Sequence, residues 1–282
     1  MKKIAVLQDL SSFGKCSLTA AIPVLSVMGV QAIPLPTAVL SAQTAYPSYF
    51  YEDFTSKMNN FTDEWKKLQV TFDGIYTGFV TGGEQINNIF TFLDTFHSKE
   101  TRLLVDPVMG DAGEVYKIFT DGLLARMREL VKHADVVTPN VTESCLLSGL
   151  SYEKLISYSN EKDYIKALEE AGNHLQLATG AEVIITGVNP PSADLDKQSI
   201  GNMYFNGGKT FYHAMAFNGK SYSGTGDLFA SVLMGSMMRG EDLRKAVQLA
   251  VAFLTEAILD TFLEEVPEIE GINFEKYLGM LL

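Results

Sequence analysis

Residues 102–111 read Arg-Leu-Leu-Val-Asp-Pro-Val-Met-Gly-Asp. The apolar run from Leu103 to Val105 gives way at once to two carboxylates, Asp106 and Asp111, with Pro107 and Gly110 between them. A short apolar run broken by turn formers is the pattern of a buried strand ending in a polar loop. The pattern recurs on both sides, with strand-like runs at residues 4–7, 31–35, 72–77, 135–138 and 182–186. Helical periodicity fills the gaps at 16–28, 84–96, 122–132 and 164–178. Strands alternating with helices predict an α/β fold, a three-layer α/β/α sandwich around a mostly parallel sheet. Beyond residue 186 the style changes. Two runs at 201–205 and 209–213 flank Asn206-Gly207-Gly208, a hairpin signal, and long helical patterns cover 225–239 and 242–262. No internal repeat or Pro/Gly-rich linker interrupts the alternation, so residues 1–282 are expected to form a single domain. Residues 188–199, rich in Pro and polar side chains, read as a surface loop and a candidate flap.

The composition excludes several classes. With 22 basic and 34 acidic residues the net charge is −12, which argues against broad nucleic-acid binding. An anionic small ligand stays compatible, because local backbone N–H groups can hold one inside a negative protein. No uninterrupted apolar run approaches the roughly 18–20 residues of a membrane span, and no membrane partner is expected. The first apolar stretch stops after four residues, which suits a buried strand better than a signal peptide. Cys16 and Cys145 are the only cysteines, and His97, His133, His174 and His213 are scattered. A cytoplasmic protein without a disulfide framework or structural zinc is expected.

In open parallel sheets, ligands collect beyond the carboxyl ends of the strands, and the polar motifs fall there. Ser223-Gly224-Thr225-Gly226-Asp227 opens a long helical pattern. Its glycines allow a tight turn whose amides face an anion at a helix N-terminus, while Asp227 is placed to take a proton from an attacking hydroxyl. A plain turn, with Asp227 merely favouring the first helical turn, is the competing reading. Asp106 and Asp111 offer oxygen ligands suited to Mg²⁺, or else belong to a post-strand turn. In Thr138-Pro139-Asn140-Val141-Thr142-Glu143, Asn140 and Glu143 have the spacing of a capping box. Gln43-Thr44-Ala45-Tyr46 follows a Pro34-Leu35-Pro36 kink and offers a hydroxyl and aromatic surface to a ring. Phe50, Tyr51 and Phe54 are expected in the core, Gly82-Gly83-Glu84 at a helix start, and Lys66 and Lys67 on a solvated face.

The order Asp-Pro-Val-Met-Gly-Asp, Thr-Pro-Asn-x-x-Glu, Gly-Thr-Gly-Asp-x-Phe resembles the ribokinase superfamily, and within it the vitamin B6 kinase branch. The likeness runs from Phe13-Gly14 to the final long helix. Ser41-Ala42-Gln43-Thr44-Ala45-Tyr46 is similar to the branch's Ser-x-x-Thr-Gly-Tyr, with Ala45 in place of glycine. The resemblance implies a ribokinase-like fold and an ATP-dependent kinase acting on the hydroxymethyl group of a B6 vitamer. It makes Asp227 the general base and the amides of Gly224, Thr225, Gly226 and Asp227 the anion hole. It places Asp106, Asp111, Glu143 and Thr138 at Mg²⁺ and a monovalent cation such as K⁺. Asn140, Thr186 and Thr225 would reach ATP, and Asp9, Thr44 and Phe79 the substrate ring. It also implies a homodimer.

Two positions depart from the branch. Asp9 stands where Ser is common, and Phe79 where many members have Tyr. A carboxylate facing the ring also suits an aminopyrimidine, so a hydroxymethylpyrimidine kinase of thiamine synthesis is an alternative. A non-catalytic ligand-binding protein on the same scaffold is another, although all four key acids are present. A nicotinamide-dependent enzyme is excluded, because no Gly-x-Gly-x-x-Gly follows the first strand. Residues 188–199 and 111–116 are the candidate lids over ATP.

Overall fold

The computed structural model describes residues 1–117, 119–192, 198–217 and 219–282. The chain divides into two compact units, Met1–Leu104 with Ser221–Leu282, and Val105–Lys220.

The first unit begins with β1 (Lys3–Phe13), whose Ile4, Ala5, Val6 and Leu7 are fully buried. A strand apolar on both faces belongs in the middle of a parallel sheet. The chain then runs through α1 (Ser17–Val27), β2 (Gln31–Ala42), the short β3 (Tyr51–Asp53), α2 (Thr55–Lys67), β4 (Gly74–Thr77), α3 (Gly83–Phe96) and β5 (Arg102–Val105). The strand order is β5-β4-β1-β2-β3, with β2 and β4 parallel to β1 and β3 antiparallel to β2. The register of β1 against β2 shifts between Gln8 and Leu10, so Asp9 sits in a bulge, a device that re-aims a side chain.

Two expectations are corrected here, and one element is unforeseen. Pro34-Leu35-Pro36 does not kink the chain: β2 continues through both prolines to Ala42. Phe50 and Tyr51 are not core residues but are 66% and 41% exposed, because β3 lies at the edge of the sheet. Helix α2 has no counterpart in the periodicity described above. Only Met58 and Thr62 on it are buried, and it is held by Trp65, which meets Phe72 at 5.5 Å and Phe92 at 6.1 Å between ring centroids.

The second unit carries the hairpin strands β6 (Gly110–Asp111) and β7 (Glu114–Val115). It continues with α4 (Asp121–Leu130), β8 (Val136–Val137), α5 (Val141–Ser148), α6 (Tyr152–Ile156), α7 (Glu161–Thr179), β9 (Glu182–Val188), β10 (Ser199–Asn206) and β11 (Lys209–Ala216). Its strand order is β8-β9-β10-β11, with β8 and β9 parallel and the last pairs antiparallel. The amide of Thr138, just past β8, donates to the Val105 carbonyl at 3.1 Å. The expected Asn-Gly-Gly turn joins β10 to β11. The candidate flap 188–199 falls partly outside the described residues, and the candidate lid 111–116 contains the small hairpin.

The chain returns to the first unit with α8 (Thr225–Arg239) and α9 (Leu243–Leu263). Along α8, a run from Leu228 to Ser236 is buried throughout, as in a core helix. By length and composition α9 is apolar enough to cross a membrane, even though the sequence has no uninterrupted apolar run of that length. In this fold its Leu243, Ala246, Val247, Ala250, Phe253, Leu254 and Ala257 are buried.

Candidate active site

In the first unit, polar side chains gather where β1 and β2 end and α8 begins. Gly224 caps α8 in the left-handed conformation, with φ 78°, and its carbonyl accepts the first helical bond from Leu228 N at 3.0 Å. A Cβ on Gly224 would stand 2.2 Å from the Lys15 carbonyl oxygen, so glycine is required here for conformation and for space. The next two amides, of Thr225 and Gly226, have no partner within the helix and sit at its positive end. Thr225 Oγ1 donates to the Tyr222 carbonyl at 2.6 Å, and Asp227 is the third residue of α8.

Asp9 is buried in the bulge of β1, with Oδ2 accepting from Ser11 Oγ at 2.6 Å. Burial raises its carboxyl above the usual range against the bonds from Ser11 and Ser17. Cys16 precedes α1. Burial first, then the charges of Asp227 and Asp9, push its thiol up, so it is a poor nucleophile. Thr44 is exposed in the turn after β2. Phe79, half-buried after β4, is held through its carbonyl by Thr37 Oγ1 at 2.8 Å.

In the second unit, Asp106 and Glu143 form a buried carboxylate pair. Thr138 Oγ1 donates to Asp106 Oδ1 at 3.1 Å. Glu143 Oε1 accepts from Met109 N at 3.0 Å and Oε2 from Asn140 N at 2.8 Å. Burial raises both acids, and the Asp106 charge raises Glu143 further. Asn140 completes the expected capping box: its Oδ1 accepts from Glu143 N at 2.9 Å, while Nδ2 donates to the Gly110 carbonyl at 2.7 Å. Asn140 also pairs with Thr186, where Thr186 N donates to the Pro139 carbonyl at 2.9 Å. Asp111 is exposed and accepts from Ala112 N at 2.8 Å. Among the described residues, no group of three or more His, Cys, Asp or Glu side chains is arranged to hold a metal ion.

Residues 12–266 match the model of the phosphomethylpyrimidine kinase family. The chain belongs to that family. A Bacteroides thetaiotaomicron protein, assigned provisionally as a phosphomethylpyrimidine kinase and crystallised with pyridoxal, is 39% identical with a TM-score of 0.89. The match covers 99% of this chain and 95% of that one. The pyridoxal kinase of Lactobacillus plantarum is 31% identical with a TM-score of 0.87, covering 100% and 97%. The hydroxymethylpyrimidine/phosphomethylpyrimidine kinase of Aquifex aeolicus is 28% identical, covering 87% of this chain and 89% of that one. This family member is therefore a small-molecule kinase of the pyridoxal kinase type with a ribokinase-like α/β fold.

Asp9, Gly224, Thr225, Gly226 and Asp227 come together in the first unit, with Thr44 on the adjoining turn. Asp106, Thr138, Asn140, Glu143 and Thr186 come together in the second. Asp111 stays apart from the buried pair, although its charge still reaches Glu143. Cys16 carries no sequence signal beyond its position at the start of a helical pattern, and Gln43 lies within the Ser-x-x-Thr-like segment without a role of its own there.

Asn140→Ala in this family member removes a cap and the bond to Gly110 together. It is expected to lower stability by about 1–2 kcal/mol in urea unfolding. An unchanged unfolding midpoint would contradict that role.

Proposed function

We propose that this chain transfers the γ-phosphoryl group of ATP to the 5′-hydroxymethyl group of a vitamin B6 vitamer, giving the 5′-phosphate, with residues 1–282 acting as one kinase domain. The observation that carries the reading is Asp227, three residues into a helix that opens on a left-handed glycine packed against backbone. Asp227 accepts the hydroxymethyl proton while the oxygen bonds to the γ-phosphorus and the bond to the ADP oxygen breaks. The amides of Gly224, Thr225, Gly226 and Asp227 hold the charge on the transferred group. Asp9, Thr44 and Phe79 take the ring, and Asn140, Thr186 and Thr225 the phosphates of ATP.

The donor set of the second unit fits a hard cation. Asp106 and Glu143 are oxygen donors whose mutual repulsion in a buried site a cation relieves. With Thr138 they would hold Mg²⁺ and a monovalent cation such as K⁺, and Asp111, exposed and apart from the pair, would add its charge to that region. Bound there, Mg²⁺ supplies charge neutralisation for the phosphates. The resemblance also carries a cytoplasmic homodimer into this reading. Sedimentation at working concentration tests the dimer, and a monomer would remove it.

A second reading, phosphorylation of a hydroxymethylpyrimidine, is favoured by the Asp9 carboxylate, which can accept a bond from an amino group on the ring. One coupled ATP-consumption assay with pyridoxal, pyridoxine, pyridoxamine and hydroxymethylpyrimidine separates the two. Turnover of none of them would leave the non-catalytic alternative. Asp9→Ala is expected to lower kcat/KM for the preferred substrate by about tenfold or more, as for a lost hydrogen bond to a charged group. The KM for ATP should not move, and equal kcat/KM in variant and parent would remove Asp9 from the ring site.

A further inference from the structure

We infer that Gln43 is a positioning residue that locks the anion-binding turn of α8 to the loop carrying Thr44. The inference rests on the reading of residues 224–227 as the anion hole. Gln43 lies just past β2 and is only 9% exposed. Its Nε2 donates to Ser223 Oγ at 3.0 Å and to the Ile269 carbonyl at 3.1 Å, while Oε1 accepts from Ala45 N at 2.8 Å. The carbonyl of Ile269 can only accept and the amide of Ala45 can only donate, so just one orientation of the side-chain amide satisfies all three partners. The Gln43 backbone is pinned as well, with N donating to the Phe13 carbonyl at 2.9 Å and O accepting from Tyr46 N at 3.1 Å. A Cβ on Gly14 would lie 2.4 Å from Gln43 Cγ, so the side chain crosses a gap that only glycine leaves open.

Ser223 immediately precedes Gly224, and its own amide donates to the Glu268 carbonyl at 3.0 Å. The entry to α8 is therefore tied on one side to residues 268–269 and on the other to Gln43. The peptide plane between Ser223 and Gly224 sets where the first amides of α8 point. The same Gln43 amide fixes Ala45, next to Thr44. One side chain thus sets two parts of the site relative to each other, the acceptor loop and the turn that receives the transferred charge. Misplacement of reacting groups by about 1 Å is enough to lower turnover about a hundredfold, so such a tie matters more for kcat than for binding.

The test uses the full chain with Gln43→Met, which keeps an unbranched side chain of similar length and removes all three bonds. Ser223→Ala removes only the bond to the turn, and the two changes are also combined. Gln43→Met is expected to lower kcat about tenfold or more with the KM for ATP within about twofold of wild type. Ser223→Ala should lower kcat in the same direction, and the double variant should be no slower than Gln43→Met alone. Hydrogen exchange at the amides of residues 224–228 should speed up in each variant. Unchanged exchange, or a wild-type kcat despite faster exchange, overturns the inference. Should Gln43→Met not fold, Ser223→Ala decides by the same two readouts. A wild-type chain that turns over none of the four candidate substrates refutes the kinase reading instead, and the exchange data still decide whether Gln43 holds the turn.

Discussion

Asp227→Asn lowers turnover by about two or more orders of magnitude while nucleotide binding stays close to wild type. Asn has nearly the same shape as Asp and keeps the third position of α8, but it cannot take the hydroxymethyl proton. The attacking oxygen must then develop its bond to phosphorus while still protonated. The loss appears in kcat and kcat/KM alike, the pattern of an interaction made in the transition state. A carboxylate in the first turn of a helix is also favoured by its dipole, so a fraction of about 1 kcal/mol of stability goes with it. That is too little to unfold the chain and mimic a catalytic defect. Steady-state kinetics beside calorimetric binding of a non-hydrolysable ATP analogue makes the distinction. A variant with turnover within about threefold of wild type would remove Asp227 as the base.

Gly224→Ala is the second large effect, and it strikes the fold and the chemistry together. At φ 78° an alanine is strained by about 1–2 kcal/mol. Its methyl would also meet the Lys15 carbonyl oxygen at 2.2 Å, a backbone atom with no alternative rotamer. Either the turn or the loop at Lys15 must shift, and both border the site. A stability loss of about 2–3 kcal/mol and a fall in kcat of about a hundredfold or more are expected. Gly226 provides the contrast within the same motif. A Cβ there meets nothing within 4 Å among the described residues, and its φ is not in the left-handed region. Gly226→Ala should fold at least as well as wild type, because alanine is the better helix former by about 1 kcal/mol. A loss of turnover in that variant would then report the space a phosphoryl group needs above the helix. Thermal unfolding and kinetics on the two variants side by side check both statements, and equal behaviour of the two would contradict them.

The parts of this architecture that follow local rules are legible in the sequence. The run Leu103 to Val105 ends in a polar loop, as its composition requires, and α8 covers the residues its periodicity marked. The capping box at Asn140 and Glu143 was readable because both partners lie within three residues. Helix α2 was not, because its apolar side is supplied mainly by aromatics whose contacts, Phe72 and Phe92, come from elsewhere in the chain. Phe50 and Tyr51 were misplaced for the converse reason: their apolarity does not reveal that β3 is an edge. Among site residues, the acids at strand ends were visible individually, whereas the bulge at Asp9 exists only in the pairing of β1 with β2. Gln43 illustrates the same limit most clearly, since its partners Ser223 and Ile269 lie 180 and 226 positions away.

The two prolines of β2 have a consequence at the level of the population of chains. Strand β3 covers β2 only from Ala38 to Leu40, so among the described residues the stretch holding Pro34 and Pro36 has no strand on its far side. A spacing of two puts both proline nitrogens on the same side of the strand, the side turned away from β1. An open strand edge is an invitation to pair with any other extended segment, including a half-folded copy of the same chain. Here the row of donors is interrupted twice within three residues, so an incoming strand loses two of the amide donors it would need. The Pro-Leu-Pro step that reads as a bend is thus a continuous strand whose open edge is poorly suited to recruiting another.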